Sequence, residues 1–119
     1  MSHETWQEQL RRGSLDLAIL LSVADGPRYG LAIIQHLDAF TDLVVTEGTI
    51  YPILGRLTRE GLLDATWVDD EGPHPRKYYR LTRLGARRLD TMKAEWRAFA
   101  EKIDRLMAAS ERGAERTKP

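Results

Sequence analysis

The chain has 119 residues, 42% hydrophobic and 30% charged, which fits one modest domain with an added helix and argues against two independent domains or wholesale disorder. It holds no cysteine, excluding disulfides, thiolate metal sites and cysteine nucleophiles. Net charge is zero, but residues 36–71 carry eight acids against two bases while residues 76–97 carry eight bases against two acids, so the balance conceals a segregation.

Residues 1–10 include Glu4 and Glu8 and lack the basic-then-apolar pattern of a secretory leader. The longest apolar run, residues 17–23, falls far short of the roughly 20 residues that cross a bilayer. The expectation is a protein that stays in the cytoplasm with no membrane partner. Trp6 and Leu10, four apart ahead of Gly13, predict a short amphipathic N-terminal helix that docks on something apolar. Ser14 reads as the N-cap of a first buried helix, which Asp25, Gly26 and Pro27 stop. Leu31, Ile34 and Leu37, with Ile33 and Phe40, predict a second helix over 28–41, and Asp38 and Asp42 lead into a connection.

The next segment, EGTIYPILGRLTREGLL (47–63), places Ile50, Ile53, Leu54 and Leu57 on a single stripe, the core face of a third helix. The opposite side then carries Pro52, Gly55, Arg56 and Arg59, with Thr49 and Tyr51 flanking it, a small and basic outward face. A proline is tolerated near a helix start, which puts the beginning close to Thr46 or Glu47, and Gly61 is the stop. From Leu63 the period becomes two: Ala65 and Trp67 alternate with Thr66 and Val68, turn formers fill 69–75, and RKYYRLT (76–82) returns. That return strand sets Lys77, Tyr79 and Leu81 on one side and Arg76, Tyr78 and Arg80 on the other.

Thr82 is placed to cap the last helix. Along it Leu89, Met92, Trp96, Phe99, Ile103 and Leu106 recur at spacings of 3, 4, 3, 4 and 3, a heptad seam that calls for a partner helix. The polar ERGAERTKP (111–119) reads as a frayed tail.

This order of elements outlines a mainly α fold with a small β-hairpin wing. A winged helix-turn-helix occupies 1–82, a long C-terminal dimerisation helix 83–109 and a flexible tail 110–119. In such a fold the third helix offers its outer face to a groove of double-stranded DNA, where Gly55 permits close approach and the arginines suit guanine edges or phosphate. The basic block supports this, since counterion release rewards clustered Lys and Arg; a solvated helix face is the plain alternative.

Four blocks, RRGSLDLAIL (11–20), YGLAI (29–33), EGTIYPILGRLTREGLL (47–63) and RKYYRLTRLG (76–85), together resemble the PadR family of transcriptional regulators, over roughly residues 11–107. The resemblance implies a cytoplasmic homodimer that usually represses transcription, here of the small subfamily with one helix after the wing. By position, Thr49, Tyr51 and Pro52 match the start of the family's recognition helix, and Arg76 and Lys77 match its basic wing residues. Arg56 and Arg59 rest on the helical projection. Acidic Asp69, Asp70 and Glu71 near the wing tip would repel phosphate, leaving Lys77 to touch the backbone while the tip stays out.

The seam, together with Trp6 and Leu10, forms the expected dimer interface, and a two-fold dimer calls for a near-palindromic operator. In small PadR-like proteins a tryptophan on this helix can line a pore for flat apolar drugs, so Met92, Trp96 and Phe99 mark a possible pocket for a small aromatic effector. A tightly packed interface tryptophan is the alternative. His3, His36 and His74 lack metal-ligand spacing, and Glu47, Asp64, Asp69 and Glu71 have no nucleophile or phosphate-cradling motif beside them. No metal, cofactor or catalysis is expected. A winged-helix protein-interaction module without specific DNA binding, and more weakly a drug-binding protein with vestigial DNA affinity, are the competing readings.

Overall fold

The computed structural model describes residues 5–41, 44–69 and 72–117; His3, Asp42, Asp70, Glu71 and the last two residues of the expected tail lie outside them. The chain divides into two compact units, Met1–Leu89 and Asp90–Pro119.

Helix α1 (Trp6–Ser22) opens with a capping box: the Thr5 hydroxyl accepts the Glu8 N–H at 3.1 Å and the Glu8 carboxylate accepts the Thr5 N–H at 3.2 Å. The break expected at Gly13 and Ser14 is absent. Ser14 does not cap; its hydroxyl donates back to the carbonyls of Leu10 (2.9 Å) and Arg11 (3.2 Å). A glycine inside a helix costs about 1 kcal/mol, too little to end one that Thr5 caps and buried Leu15, Ile19 and Leu20 anchor.

The predicted second helix also starts later than expected. Arg28 and Tyr29 form a short strand, β1 (Arg28–Tyr29), before α2 (Gly30–Thr41). Pro27 and Gly26 keep the chain extended here, and Arg28 ties the turn down by donating to the Ser22 carbonyl and, at 2.6 Å, to Asp25. Its guanidinium holds the Asp25 carboxyl below the usual range. On α2, Ile33 and Leu37 are buried as their spacing implies, while Leu31 and Phe40 face outward, the Phe40 ring resting against His36.

Helix α3 (Glu47–Arg59) begins where its sequence predicts. It ends in a Schellman turn: Gly61 has φ +78°, Leu62 N–H reaches the Leu57 carbonyl at 3.0 Å and Gly61 N–H that of Thr58 at 3.0 Å. Strands β2 (Leu63–Val68) and β3 (Arg76–Leu81) form the hairpin, but the sheet has three strands in the order β1-β3-β2, all antiparallel. β1 adds Arg28 opposite Tyr79 and Tyr29 opposite Tyr78. Ile19, Leu20, Ile33, Ile50, Leu54, Leu57 and Leu63 are fully buried where α1, α2, α3 and β2 meet.

Thr82 caps α4 (Arg83–Thr117) as predicted, its hydroxyl accepting the Gly85 N–H at 2.9 Å. The same hydroxyl donates to the Gly61 carbonyl at 2.6 Å, and Thr82 N–H donates to the Leu62 carbonyl at 3.1 Å. The start of α4 is thus stitched to the end of α3. The helix does not stop near residue 109; it continues to Thr117 through a stretch expected to be a tail. Among Glu111, Arg112, Gly113 and Ala114 only the glycine disfavours helix, and no proline intervenes before Pro119.

Candidate nucleic-acid interface

With Ile50, Leu54 and Leu57 turned inward, the side of α3 facing away from the core presents Gly48, Pro52, Gly55 and Arg59. Pro52 lies five residues past Glu47, more than one full turn inside the helix. Its ring removes the N–H that would bond to the Gly48 carbonyl, a loss of about 3 kcal/mol in a helix interior, which the buried stripe of α3 must offset. The outward consequence is a Gly48 carbonyl deprived of its helical donor. Thr49 is exposed, its hydroxyl accepting that of Thr46 at 3.2 Å. A Cβ on Gly55 would lie 3.4 Å from an Arg59 guanidinium nitrogen, so Arg59 lies beside the gap that Gly55 leaves. Arg59 is exposed and makes no ion pair with a described residue.

Arg56 behaves differently from its projected role. It does not stand free on the outward face: its guanidinium donates to Asp16 of α1 at 2.7 Å and to Glu60 at 2.9 Å. The Asp16 hydrogen bond, then that of Glu60, strengthens its hold on its proton. Both partners are part-exposed, so the pairs contribute at most about 1 kcal/mol each. Their effect is orientation, tying the last turn of α3 to α1.

Tyr51 leans toward the sheet. A Cβ on Gly30 would come within 2.5 Å of the Tyr51 ring, so the ring occupies space that only glycine leaves. On the wing, Lys77 sits directly opposite Trp67, and its Nζ lies 5.8 Å from the Trp67 ring centre and 5.9 Å from that of Tyr79. Arg76 lies on the other side of β3, 4.5 Å above the Tyr29 ring, which meets Tyr78 edge-on. Between the start of α3 and the wing runs an open groove of about 470 Å³, bordered by Tyr29, Tyr51, Trp67, Tyr79, Arg76 and Lys77. Burial, and then the neighbouring Tyr51, push the Tyr79 phenol above its ordinary range.

A family model described as the transcriptional regulator PadR-like family matches residues 19–91, more than half of the chain. The chain belongs to the PadR-like family. It is therefore a DNA-binding transcriptional regulator with a winged-helix fold, and no enzyme. Among solved structures, a PadR family regulator from Eggerthella lenta is 36% identical, with a TM-score of 0.75 over 83% of this chain and 86% of that one. A PadR-like regulator from Bacillus cereus is 31% identical, with a TM-score of 0.74 over 83% and 96%. An uncharacterized protein of Lysinibacillus sphaericus is 34% identical over 102 residues, 84% of this chain and 94% of its own.

In this PadR-like chain the residues expected at a dimer seam fall into two groups. Leu89 is buried within the first unit, so it serves the core and not an open seam. In the second unit Met92 is half-buried, while Trp96, Phe99, Ile103 and Leu106 are exposed, joined by Met107, which the heptad reading passed over. Trp6 and Leu10 are exposed on α1. Among the described residues no His, Asp or Glu cluster could hold a metal ion, and no helix is long and apolar enough to cross a membrane.

Sequence reasoning missed Tyr29, Trp67 and Tyr79 as neighbours of the interface. The alternation of RKYYRLT already put Tyr79 beside Lys77. Trp67 needed the register, which the loop between the strands determines, and Tyr29 needed the third strand.

Proposed function

We propose that this PadR-like regulator is a cytoplasmic homodimeric repressor that grips a near-palindromic operator with α3 and the wing. The observation that carries the reading is the outward face of α3: three positions without bulky polar groups, Gly48, Pro52 and Gly55, beside an Arg59 that no described carboxylate holds. Such a face fits against a groove floor, and a guanidinium that need not break an ion pair is ready for guanine or phosphate. Lys77, also without a described carboxylate partner, supplies phosphate contact from the wing. Thr49 and Tyr51 flank the contact, Arg76 adds to the wing's positive field, and Arg56 positions the helix.

Dimerisation runs through the exposed stripe of Trp96, Phe99, Ile103 and Leu106, which a monomer would leave in water together. Two copies then present two α3 helices to half-sites about 34–36 Å apart. A small aromatic effector at Met92, Trp96 and Phe99 would release the operator by changing how the seam packs. Sedimentation at micromolar concentration is expected to give a dimer; a monomer there removes the symmetric-operator reading.

The deciding experiment is titration against the DNA upstream of the protein's own gene, with random duplex as control, at two salt concentrations. Selective and salt-sensitive binding is expected. No binding even at low salt would favour the protein-interaction module. Arg59→Ala should weaken operator binding by about 1–3 kcal/mol and affect random duplex less. Lys77→Ala should weaken both duplexes alike and lower the salt slope by about one. Loss confined to one sequence would contradict a phosphate role for Lys77.

A further inference from the structure

The groove between α3 and the wing has a chemistry that a bare DNA-contact surface does not require. Its walls combine the rings of Tyr51, Trp67 and Tyr79 with the Lys77 ammonium; Tyr29 and Arg76 also border it, but the Tyr29 ring and the Arg76 guanidinium pack on the opposite face of the sheet, beside Tyr78. At about 470 Å³ it lies within the size range of small-molecule sites, roughly 300–1,000 Å³. Trp67 is 66% exposed although it stands in a strand, so one of the largest stacking surfaces in the chain faces the opening. The Lys77 ammonium is placed by ring faces alone, with no carboxylate among the described residues to neutralise it.

Rings offer stacking to any planar aromatic group, and an ammonium at their margin that no described carboxylate neutralises selects for a negative charge on that group. The space is built in as well. The side chain of Tyr51 is seated where Gly30 has no Cβ, which draws its ring off the outward face of α3 and into the groove wall.

We infer that this groove binds a planar aromatic molecule bearing an anionic group, and that the occupant excludes DNA directly. An aryl carboxylate and a nucleoside monophosphate share that chemistry. The exclusion of DNA rests on the operator reading above, because Tyr51 and Lys77 serve both partners; binding itself does not. This site lies within the Met1–Leu89 unit and uses no residue of the seam around Trp96.

Titration calorimetry on the wild-type protein, with DNA absent, tests the site. Naphthoate and AMP are compared with their uncharged counterparts, naphthylmethanol and adenosine. At least one anion is expected to bind, and its neutral counterpart at least about tenfold more weakly. Lys77→Ala and Trp67→Leu, both at exposed positions, should each weaken binding by about tenfold with unchanged melting curves, while Trp96→Ala leaves it within about twofold. The anion that binds tells which source the site serves.

No heat with either anion, equal binding of a neutral counterpart, or survival of binding in Lys77→Ala overturns the proposal. So does loss of binding in Trp96→Ala alone. With ligand present, the apparent Kd for operator should rise in proportion to ligand concentration, and a DNA affinity indifferent to saturating ligand overturns the exclusion. Failure to bind DNA without any ligand counts against the repressor reading and leaves the calorimetric result standing.

Discussion

Leu54→Ala should destabilise the protein by about 2–5 kcal/mol and lower Tm on the order of 10 °C or more. Leu54 has no exposed surface and lies at the centre of the α3 stripe between Ile50 and Leu57. Truncation loses the transfer energy of three carbons and leaves a hole that fully buried neighbours such as Ile33 and Leu63 cannot all move to fill. The helix that loses this anchor is the one carrying Pro52, which relies on packing to offset its missing hydrogen bond. Urea unfolding measures the effect. A loss below about 1 kcal/mol would mean that the site collapses freely and that α3 is held by something other than its stripe. At temperatures where the variant stays folded, operator binding should still weaken, because a recognition helix free to rock must be ordered at each encounter.

Gly85→Ala should cost at least about 1–3 kcal/mol although it adds only a methyl group to a helix. An added Cβ would overlap the Leu62 carbonyl oxygen and come within 3.0 Å of the Leu62 carbonyl carbon and a Leu81 methyl. The obstacle is backbone and cannot swing aside. That carbonyl also accepts the Thr82 N–H, so retreat would pull on the stitch between α3 and α4. Alanine's better helix propensity returns about 1 kcal/mol at most. Gly13→Ala is the internal control: nothing lies within 4 Å of its Cβ position, so the same exchange inside α1 should stabilise by about 0.5–1 kcal/mol. Thermal melts of the two variants should move in opposite directions; a Gly85→Ala protein as stable as the parent would show that the α3–α4 junction yields.

The legible parts of this molecule were those where one residue type has one physical use. The period of Ile50, Leu54 and Leu57 located α3, Gly61 stopped it in a left-handed conformation, and Thr82 capped α4. The misread parts were those with competing local options. Ser14 can cap a helix or bond back into one, and only the distant box of Thr5 and Glu8 decided between them. Arg28 and Tyr29 were drawn into a strand by pairing with Tyr79 and Tyr78, about fifty residues away, which no local pattern announces. Arg56 shows the limit of a helical projection: the wheel gave its angle on α3, but Asp16, forty residues earlier, decides where its guanidinium goes. Small basic patches are legible as composition, and which of their charges are already engaged is a tertiary fact.

The stitch at Thr82 also closes the base of the wing. Leu63 and Leu81 face each other there, Leu63 fully buried, while Thr82 binds the carbonyls of Gly61 and Leu62 just before β2 begins. Both strands leave from one clamped point, and the β1–β3 pairing steadies the return strand. Lengthening the tip loop beyond Val68 therefore strains nothing below it, since each doubling of a flexible loop costs only about 0.6 kcal/mol. The hairpin end behaves as an exchangeable cartridge: descendants of this chain, or a designer, can alter its length, charge or aromatic content and so redirect what the regulator recognises, while the helices that carry the fold keep their places.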